Sequence, residues 1–159
     1  MSLPTAYSVA GDGPPLIMIH GIGARRTTFD GMVAGLKDRF TCITYDLRGH
    51  GLTPWSGGRF DLDDLVDDLE DLRARLGIAS AHIAGHSLGG MIGPAYARKY
   101  PQHVLTLGLW STAAFRTGDD SAKVRGVVSA MRDKGIGPVL DTLTARWFSD
   151  AFCAARPDV

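Results

Sequence analysis

The sequence has few cysteines, no long apolar run and no excess of either charge. Cys42 and Cys153 lie far apart and in no metal-binding spacing, so we expect two reduced thiols in a cytoplasmic protein rather than a disulfide. Seventeen Lys and Arg balance seventeen Asp and Glu, which argues against a nucleic-acid partner or an anionic membrane surface. No stretch approaches the ~20 apolar residues that cross a bilayer, and the first residues lack an apolar signal core.

Strand patterns alternate with helix patterns along most of the chain. Apolar or β-branched runs predict strands at 5–10, 16–19, 40–45, 82–84 and 104–110, and amphipathic spacing predicts helices near 29–39, 61–76, 88–100, 121–134 and 138–148. This alternation predicts an α/β fold with a mainly parallel sheet, flanking helices and right-handed crossovers. The last two helices have no strand between them, so we expect them to begin a separate helical cap.

Acidic residues crowd the first turns of the helix predicted at 61–76. Leucines recur at helical spacing along one face of this helix and predict its buried side. Asp63, Asp64, Asp67 and Asp68 are interpreted as a solvent-exposed face opposite the leucines. A metal site is the weaker alternative for this acidic run.

The most informative stretch has the pattern G-x-S-x-G at 85–89, between a strand pattern and a helix pattern. In a nucleophile elbow this spacing holds a serine on a sharp turn, with its hydroxyl exposed above the sheet for attack on a carbonyl carbon. Ser87 is therefore the candidate nucleophile. The structural alternative is that Gly85 and Gly89 only allow the strand and the helix to pack closely.

Two backbone N–H groups are candidates for an oxyanion hole, which stabilises the charge that develops on the attacked carbonyl oxygen. At a nucleophile elbow the first donor is the residue after the serine, which is Leu88 here. The second donor comes from a loop after an earlier strand. The glycine-rich loop at 20–23 stands in that place, and we assign the second donor to Ile22.

Three motifs in this order resemble the signature of the α/β-hydrolase superfamily: HGIG at 20–23, DLRGHG at 46–51 and GHSLGGM at 85–91. The resemblance places Ser87 at the nucleophile position, and a serine there argues against the dehalogenase and epoxide hydrolase branches, which attack with a carboxylate. Two later stretches, LWSTAA at 109–114 and ARWFSDAF at 145–152, are similar to the 3-oxoadipate enol-lactonase branch. The resemblance implies hydrolysis of a small ester or lactone through an acyl-enzyme, with no cofactor and no metal.

Other polar residues near these motifs are weaker candidates. His50 and Arg48 follow a strand, at the end of the sheet where sites lie in open α/β folds, but the resemblance implies a mainly structural loop there. His20 is expected to brace the oxyanion loop rather than to move protons. The imidazole of His86 should not reach the neighbouring hydroxyl, because adjacent side chains leave a turn in different directions.

The acid and the base of a catalytic triad are missing from the sequence. In this fold the triad follows the order serine, acid, histidine, yet the last histidine, His103, precedes the last predicted strand. Some relatives carry the acid just after that strand, where this chain has Ser111 and Thr112. We therefore interpret 1–112 as the N-terminal part of an α/β-hydrolase core that lacks its C-terminal strands, and 113–159 as an incomplete cap.

Three hypotheses follow for the activity. The first is a serine hydrolase of small esters or lactones, 3-oxoadipate enol-lactone among them, which is inactive until a second chain or the missing C-terminal half supplies the acid and base. The second is another carbonyl chemistry on the same fold, on a thioester, a C–C bond or a peracid. The third is a non-catalytic protein that keeps the pocket for ligand binding.

Overall fold

The computed structural model of the chain describes residues 3–55, 57–113, 117–135 and 137–156, and these contain five strands and six α-helices. The chain clusters into two compact units, Met1–Ala114 and Phe115–Val159. The cap predicted at 113–159 and the end of the LWSTAA motif both include residues outside the described ranges. Cys42 and Cys153 are free thiols. No helix in the described ranges is long and apolar enough to cross a membrane.

The first unit is built on one sheet with the order β1-β3-β2-β4-β5. Its strands are β1 (Tyr7–Ala10), β2 (Pro15–Ile19), β3 (Thr41–Tyr45), β4 (Ala81–His86) and β5 (Val104–Trp110). Only β1 is antiparallel to its neighbour, and the other three pairings are parallel. The mainly parallel sheet with flanking helices that the alternation predicts is therefore confirmed.

Helices pack on both faces of the sheet because successive residues of each strand point to opposite sides. On one face, β2 and its neighbours bury Ile17 and Ile19 against α2 (Leu62–Arg75) and α3 (Gly89–Lys99). On the other face, Met18 lies in a smaller cluster that Val33 of α1 (Asp30–Leu36) joins. The centre of the sheet is therefore packed on both faces, beneath the loops that follow β2, β3 and β4.

Asp61 and the helix composition explain where α2 begins and ends. The Asp61 carboxylate accepts hydrogen bonds from the N–H groups of Asp63 and Asp64, and Asp64 reciprocates in a capping box. Basic residues occupy the last turn, and Gly77 follows in the left-handed region at φ +67°, as is typical of a helix C-terminus.

The predicted solvent-exposed acidic face is wrong at Asp68. This residue is buried and accepts two hydrogen bonds of 2.7 Å from the guanidinium of Arg48, which lies in the loop after β3. Arg48 also packs over the rings of Trp55 and Phe60. The acidic side of α2 therefore holds the β3 loop, and only part of it faces solvent.

The described residues of the second unit form three helices, α4 (Gly118–Lys134), α5 (Gly137–Trp147) and α6 (Asp150–Ala155). The first of these begins three residues earlier than predicted, because Thr117 and Asp120 form a capping box at its start. The short α6 is an addition to the prediction, and the Ser149 hydroxyl caps it by accepting from the N–H of Phe152.

Strand β5 forms an edge of the sheet in the described part of the chain, since β4 is its only neighbour there. Three of its leucines remain 40–51% exposed: Leu105, Leu107 and Leu109. An open parallel edge with exposed apolar side chains agrees with the expectation that the sheet lacks strands on this side.

Candidate active site

Ser87 occupies a sharp turn between β4 and α3. Its φ is +54°, in the left-handed region that non-glycine residues seldom adopt, and such a conformation costs roughly 1–2 kcal/mol. The strand ends at His86 and the helix begins at Gly89. Strand, strained serine and helix follow in the order that the G-x-S-x-G pattern predicts for a nucleophile elbow.

The glycines on both sides of Ser87 permit close contacts between backbones. A Cβ atom at Gly85 would lie 2.2 Å from the Gly89 carbonyl oxygen, and one at Gly89 would lie 2.0 Å from the Ile19 carbonyl oxygen. The packing alternative for the motif therefore describes these glycines correctly. It does not explain why the serine between them has a strained backbone.

The loop after β2 meets Ser87 directly. A Cβ atom at Gly21 would lie 2.9 Å from the Cβ of Ser87 and 3.4 Å from its Oγ, so the backbone next to Ile22 borders the serine. Within the described residues, no hydrogen bond uses the N–H of Ile22 or of Leu88. Both candidate oxyanion donors are thus near Ser87 in sequence or space and have no acceptor among the described residues.

Two histidines brace this loop against the loop that follows β3. His20 is completely buried; its Nε2 accepts from the N–H of Leu47 at 3.0 Å, so its Nδ1 donates to the Gly21 carbonyl at 2.7 Å. Burial lowers the pKa of His20 below its ordinary value of 6.5, which keeps it neutral. The Nε2 of His50 accepts from the N–H of Gly23 at 3.2 Å. Both imidazoles therefore hold backbone groups, which supports the expected bracing role of His20.

Asp46 supplies a second link between the same two loops. Its carboxylate accepts from the N–H of Arg26 at 2.6 Å, from the Arg26 guanidinium at 2.5 Å and from the N–H of Leu52 at 2.9 Å. Burial alone would raise the pKa of Asp46, but these hydrogen bonds lower it below its ordinary value. Neither Asp46 nor Arg26 stands out in the sequence as a partner of the other, since 20 residues separate them.

The described residues bring no base to the Ser87 hydroxyl. His86 lies next to it in sequence, but its ring is beside that of Trp110, with the ring centres 6.3 Å apart. His103 pairs with Glu70 at 3.2 Å. Among the described residues no hydrogen bond joins Ser87 Oγ to any histidine.

Comparison with known proteins places this arrangement in a family. A sequence model of the alpha/beta hydrolase fold matches residues 14–151. The chain belongs to the alpha/beta hydrolase fold family. Its similarity to solved structures extends through both units.

Three relatives illustrate the similarity of this alpha/beta hydrolase chain. It is 29% identical to 3-oxoadipate enol-lactonase 2 of Acinetobacter baylyi over 148 residues, which cover 93% of the chain and 55% of the lactonase. The enol-lactonase of Burkholderia xenovorans LB400 superposes with a TM-score of 0.88 at 26% identity, covering 99% of the chain and 62% of that structure. A thermophilic esterase of Thermogutta terrifontis gives 0.87 at 28% identity, covering 97% and 57%. The chain thus spans between half and two thirds of the length of these three relatives.

Proposed function

We propose that this chain forms the nucleophile-bearing part of a serine hydrolase that acts on small esters or lactones. The strained backbone of Ser87 carries the proposal, because a φ of +54° between strand and helix has a cost that packing does not explain. Strain of this kind concentrates at functional sites, where the surrounding structure holds it in place. Here β4, α3 and the loop after β2 surround the serine.

In the proposed reaction the Ser87 Oγ attacks the carbonyl carbon of the substrate, and its proton passes to a histidine base. The carbonyl oxygen becomes an oxyanion that accepts hydrogen bonds from the N–H groups of Leu88 and Ile22. Collapse of this tetrahedral species expels the alkoxide, which takes the proton from the histidine. Water then attacks the acyl-enzyme, releases the carboxylic acid and restores the Ser87 hydroxyl.

The free N–H groups support the assignment of the two donors. An oxyanion hole must have donors that are fixed in place and unpaired before the reaction. Ile22 sits on a loop that His20, His50 and Asp46 hold to the neighbouring loop. Leu88 begins the turn into α3, whose N-terminus adds a partial positive charge near the same point.

We infer that the acid and the histidine lie on polypeptide outside residues 1–159. The alpha/beta hydrolase order of serine, acid and histidine puts both after Ser87, and the chain has no histidine after His103. In each of the three relatives compared above, at least a third of the length lies outside the region that matches this chain. The similarity to two enol-lactonases favours a small lactone as the substrate, with 3-oxoadipate enol-lactone the first to test.

A ligand-binding protein without catalysis is the second candidate. The absence of a hydrogen bond between Ser87 Oγ and any histidine of the described residues favours it. Carbonyl chemistry on a thioester, a C–C bond or a peracid would use the same serine and differs only in the substrate. Activity measurements on a polypeptide extended beyond residue 159 distinguish a catalytic protein from a ligand-binding one.

The test compares the 159-residue chain with a polypeptide extended by the downstream segment to the length of its relatives. We expect the extended form to hydrolyse p-nitrophenyl acetate and an enol-lactone, and the 159-residue chain to be slower by about 10⁴-fold or more, because triad members act as a unit. Ser87→Ala should abolish the activity. Ser129→Ala, at an exposed position of α4, is the matched control and should leave it unchanged. Rapid, Ser87-dependent hydrolysis by the short chain would contradict the inferred need for further residues, and an inert extended form would favour the binding protein.

A further inference from the structure

The end of β5 and the loop after it hold the two polar groups of the Ser87 backbone. The hydroxyl of Thr112 donates to the Ser87 carbonyl oxygen at 2.8 Å, and the Ser87 N–H donates to the Trp110 carbonyl oxygen at 3.2 Å. The N–H of Met91 donates to the Leu88 carbonyl at 2.9 Å. Thr112 is therefore the partner of the Ser87 carbonyl at the point where the chain turns into α3.

This hydrogen bond also determines the direction of the Leu88 N–H. The Ser87 carbonyl and the Leu88 N–H belong to one peptide unit, which is planar and trans, so the two groups point in opposite directions. Because Thr112 holds the carbonyl, the unit cannot rotate without breaking that hydrogen bond. A hydrogen bond to the carbonyl also polarises the peptide and strengthens its N–H as a donor.

The local structure has two unusual features that bring Thr112 to this position. Ser111 has φ +49°, a second strained serine, which turns the chain sharply as soon as β5 ends. Gly90 provides the space: a Cβ atom there would lie 2.5 Å from the Cβ of Thr112 and 2.7 Å from its Oγ1. The Thr112 side chain thus occupies the volume that a side chain at position 90 would need.

We propose that Thr112 is a positioning residue that aims the Leu88 N–H at the developing oxyanion through the Ser87 carbonyl. The proposal rests on the proposed function of Ser87 and Leu88. Without the hydroxyl, no hydrogen bond among the described residues holds the Ser87 carbonyl. The peptide unit then tilts more easily, and the donor is less well aligned in the transition state. The oxyanion forms only after the substrate has bound, so the loss affects kcat and leaves KM almost unchanged.

The direct test uses two substitutions of Thr112 in the extended polypeptide. Thr112→Val keeps the shape and removes the hydroxyl, while Thr112→Ser keeps the hydroxyl and removes the methyl group. Complete loss of an oxyanion donor typically lowers kcat by ~10²–10³, so we expect a misaligned donor in Thr112→Val to lower it by about 10–100-fold. KM should stay within about 3-fold and Thr112→Ser should stay within about 3-fold of the parent kcat. A kcat in Thr112→Val equal to that of the parent, or equal losses in both variants, would overturn the proposal.

A second measurement tests the hydrogen bond from Thr112 to the Ser87 carbonyl without relying on catalytic activity. In the 159-residue chain, labelled for NMR, Thr112→Val should move the carbonyl ¹³C resonance of Ser87 and the amide ¹H resonance of Leu88, and Thr112→Ser should move neither by a comparable amount. Unchanged resonances in Thr112→Val would also overturn the proposal. If Thr112→Val does not fold, Thr112→Ala lacks the hydroxyl as well and relieves the packing over Gly90. An extended parent without Ser87-dependent activity would contradict the proposed function, whereas an active parent with an unaffected Thr112→Val would contradict only the role of Thr112.

Discussion

The close contact between Gly89 and β2 predicts that an alanine at position 89 destabilises the fold. Gly93, in the same helix, provides the matched control. Gly89 and Gly93 lie one turn apart in α3. A Cβ atom at Gly89 would lie 2.0 Å from the carbonyl oxygen of Ile19 and 2.6 Å from its carbonyl carbon. A Cβ atom at Gly93 would meet only side-chain carbons, at 3.5–3.6 Å. The same substitution by alanine should therefore have opposite effects at the two positions.

The sizes of these effects follow from the atoms involved. Carbon atoms pack at about 3.5–4.0 Å, so the new methyl group in Gly89→Ala would be about 1 Å too close to a backbone carbon. Ile19 ends a central strand that pairs with β3 and β4, so this backbone cannot move aside alone. Overpacking usually costs ~1–3 kcal/mol, and we expect Gly89→Ala to lower the free energy of unfolding by about 3 kcal/mol or more. Gly93→Ala should change it by between zero and a gain of about 1 kcal/mol, because alanine favours the helix.

Urea denaturation followed by circular dichroism measures both changes in the 159-residue chain. Gly89→Ala should unfold at much lower urea with an unchanged slope, and Gly93→Ala at an equal or higher concentration. If Gly89→Ala were within about 0.5 kcal/mol of the parent, the close approach of α3 to β2 at this point would be wrong. Backbone contacts would then not explain why the motif has a glycine at this position.

Two further predictions concern the polar contacts of α2. Asp68→Ala leaves the buried guanidinium of Arg48 without its main partner and should lower the free energy of unfolding by ~3 kcal/mol. Asp71→Ala, at an exposed position of the same helix, should change it little, and equal losses in urea denaturation would contradict the burial of Asp68. Hydrogen bonds from Arg73 lower the pKa of Glu70 from 4.5 to about 2, despite its partial burial. The charged form of Glu70 therefore stabilises the folded chain above pH 4.5. This contribution, up to about 3 kcal/mol, is lost as the pH falls towards 2. Glu70→Gln should remove this part of the pH dependence in a series of urea denaturations, and a profile as steep as that of the parent would refute the assignment.

Much of the fold could be predicted from the sequence because its signals are local. A continuous apolar run indicates β2, β-branched residues indicate β3, and leucines at helical spacing indicate α2. The G-x-S-x-G pattern placed a turn at Ser87, where the structure has the strained φ. Each of these features depends on residues within one element or at the junction of two.

The contacts that the sequence did not reveal join residues far apart in the chain. Arg48 and Asp68 are 20 residues apart, and Thr112 and Ser87 are 25 apart. Helical periodicity alone assigned Asp68 to solvent, since no local pattern shows that a loop arginine covers that side of α2. In the sequence, Thr112 stands out only because it occupies a position where some relatives carry an acid. The cap role of the two late helices stays a prediction.

Covalent labelling distinguishes an activated Ser87 nucleophile from an ordinary serine. A fluorophosphonate probe reacts with an activated serine, and tandem mass spectrometry identifies the modified residue. In the extended polypeptide we predict one modification, on Ser87, which enol-lactone or ester substrate slows and Ser87→Ala eliminates. Labelling of a different serine would contradict the assignment of Ser87 as the nucleophile. Hydrolysis that continues in Ser87→Ala would contradict it as well.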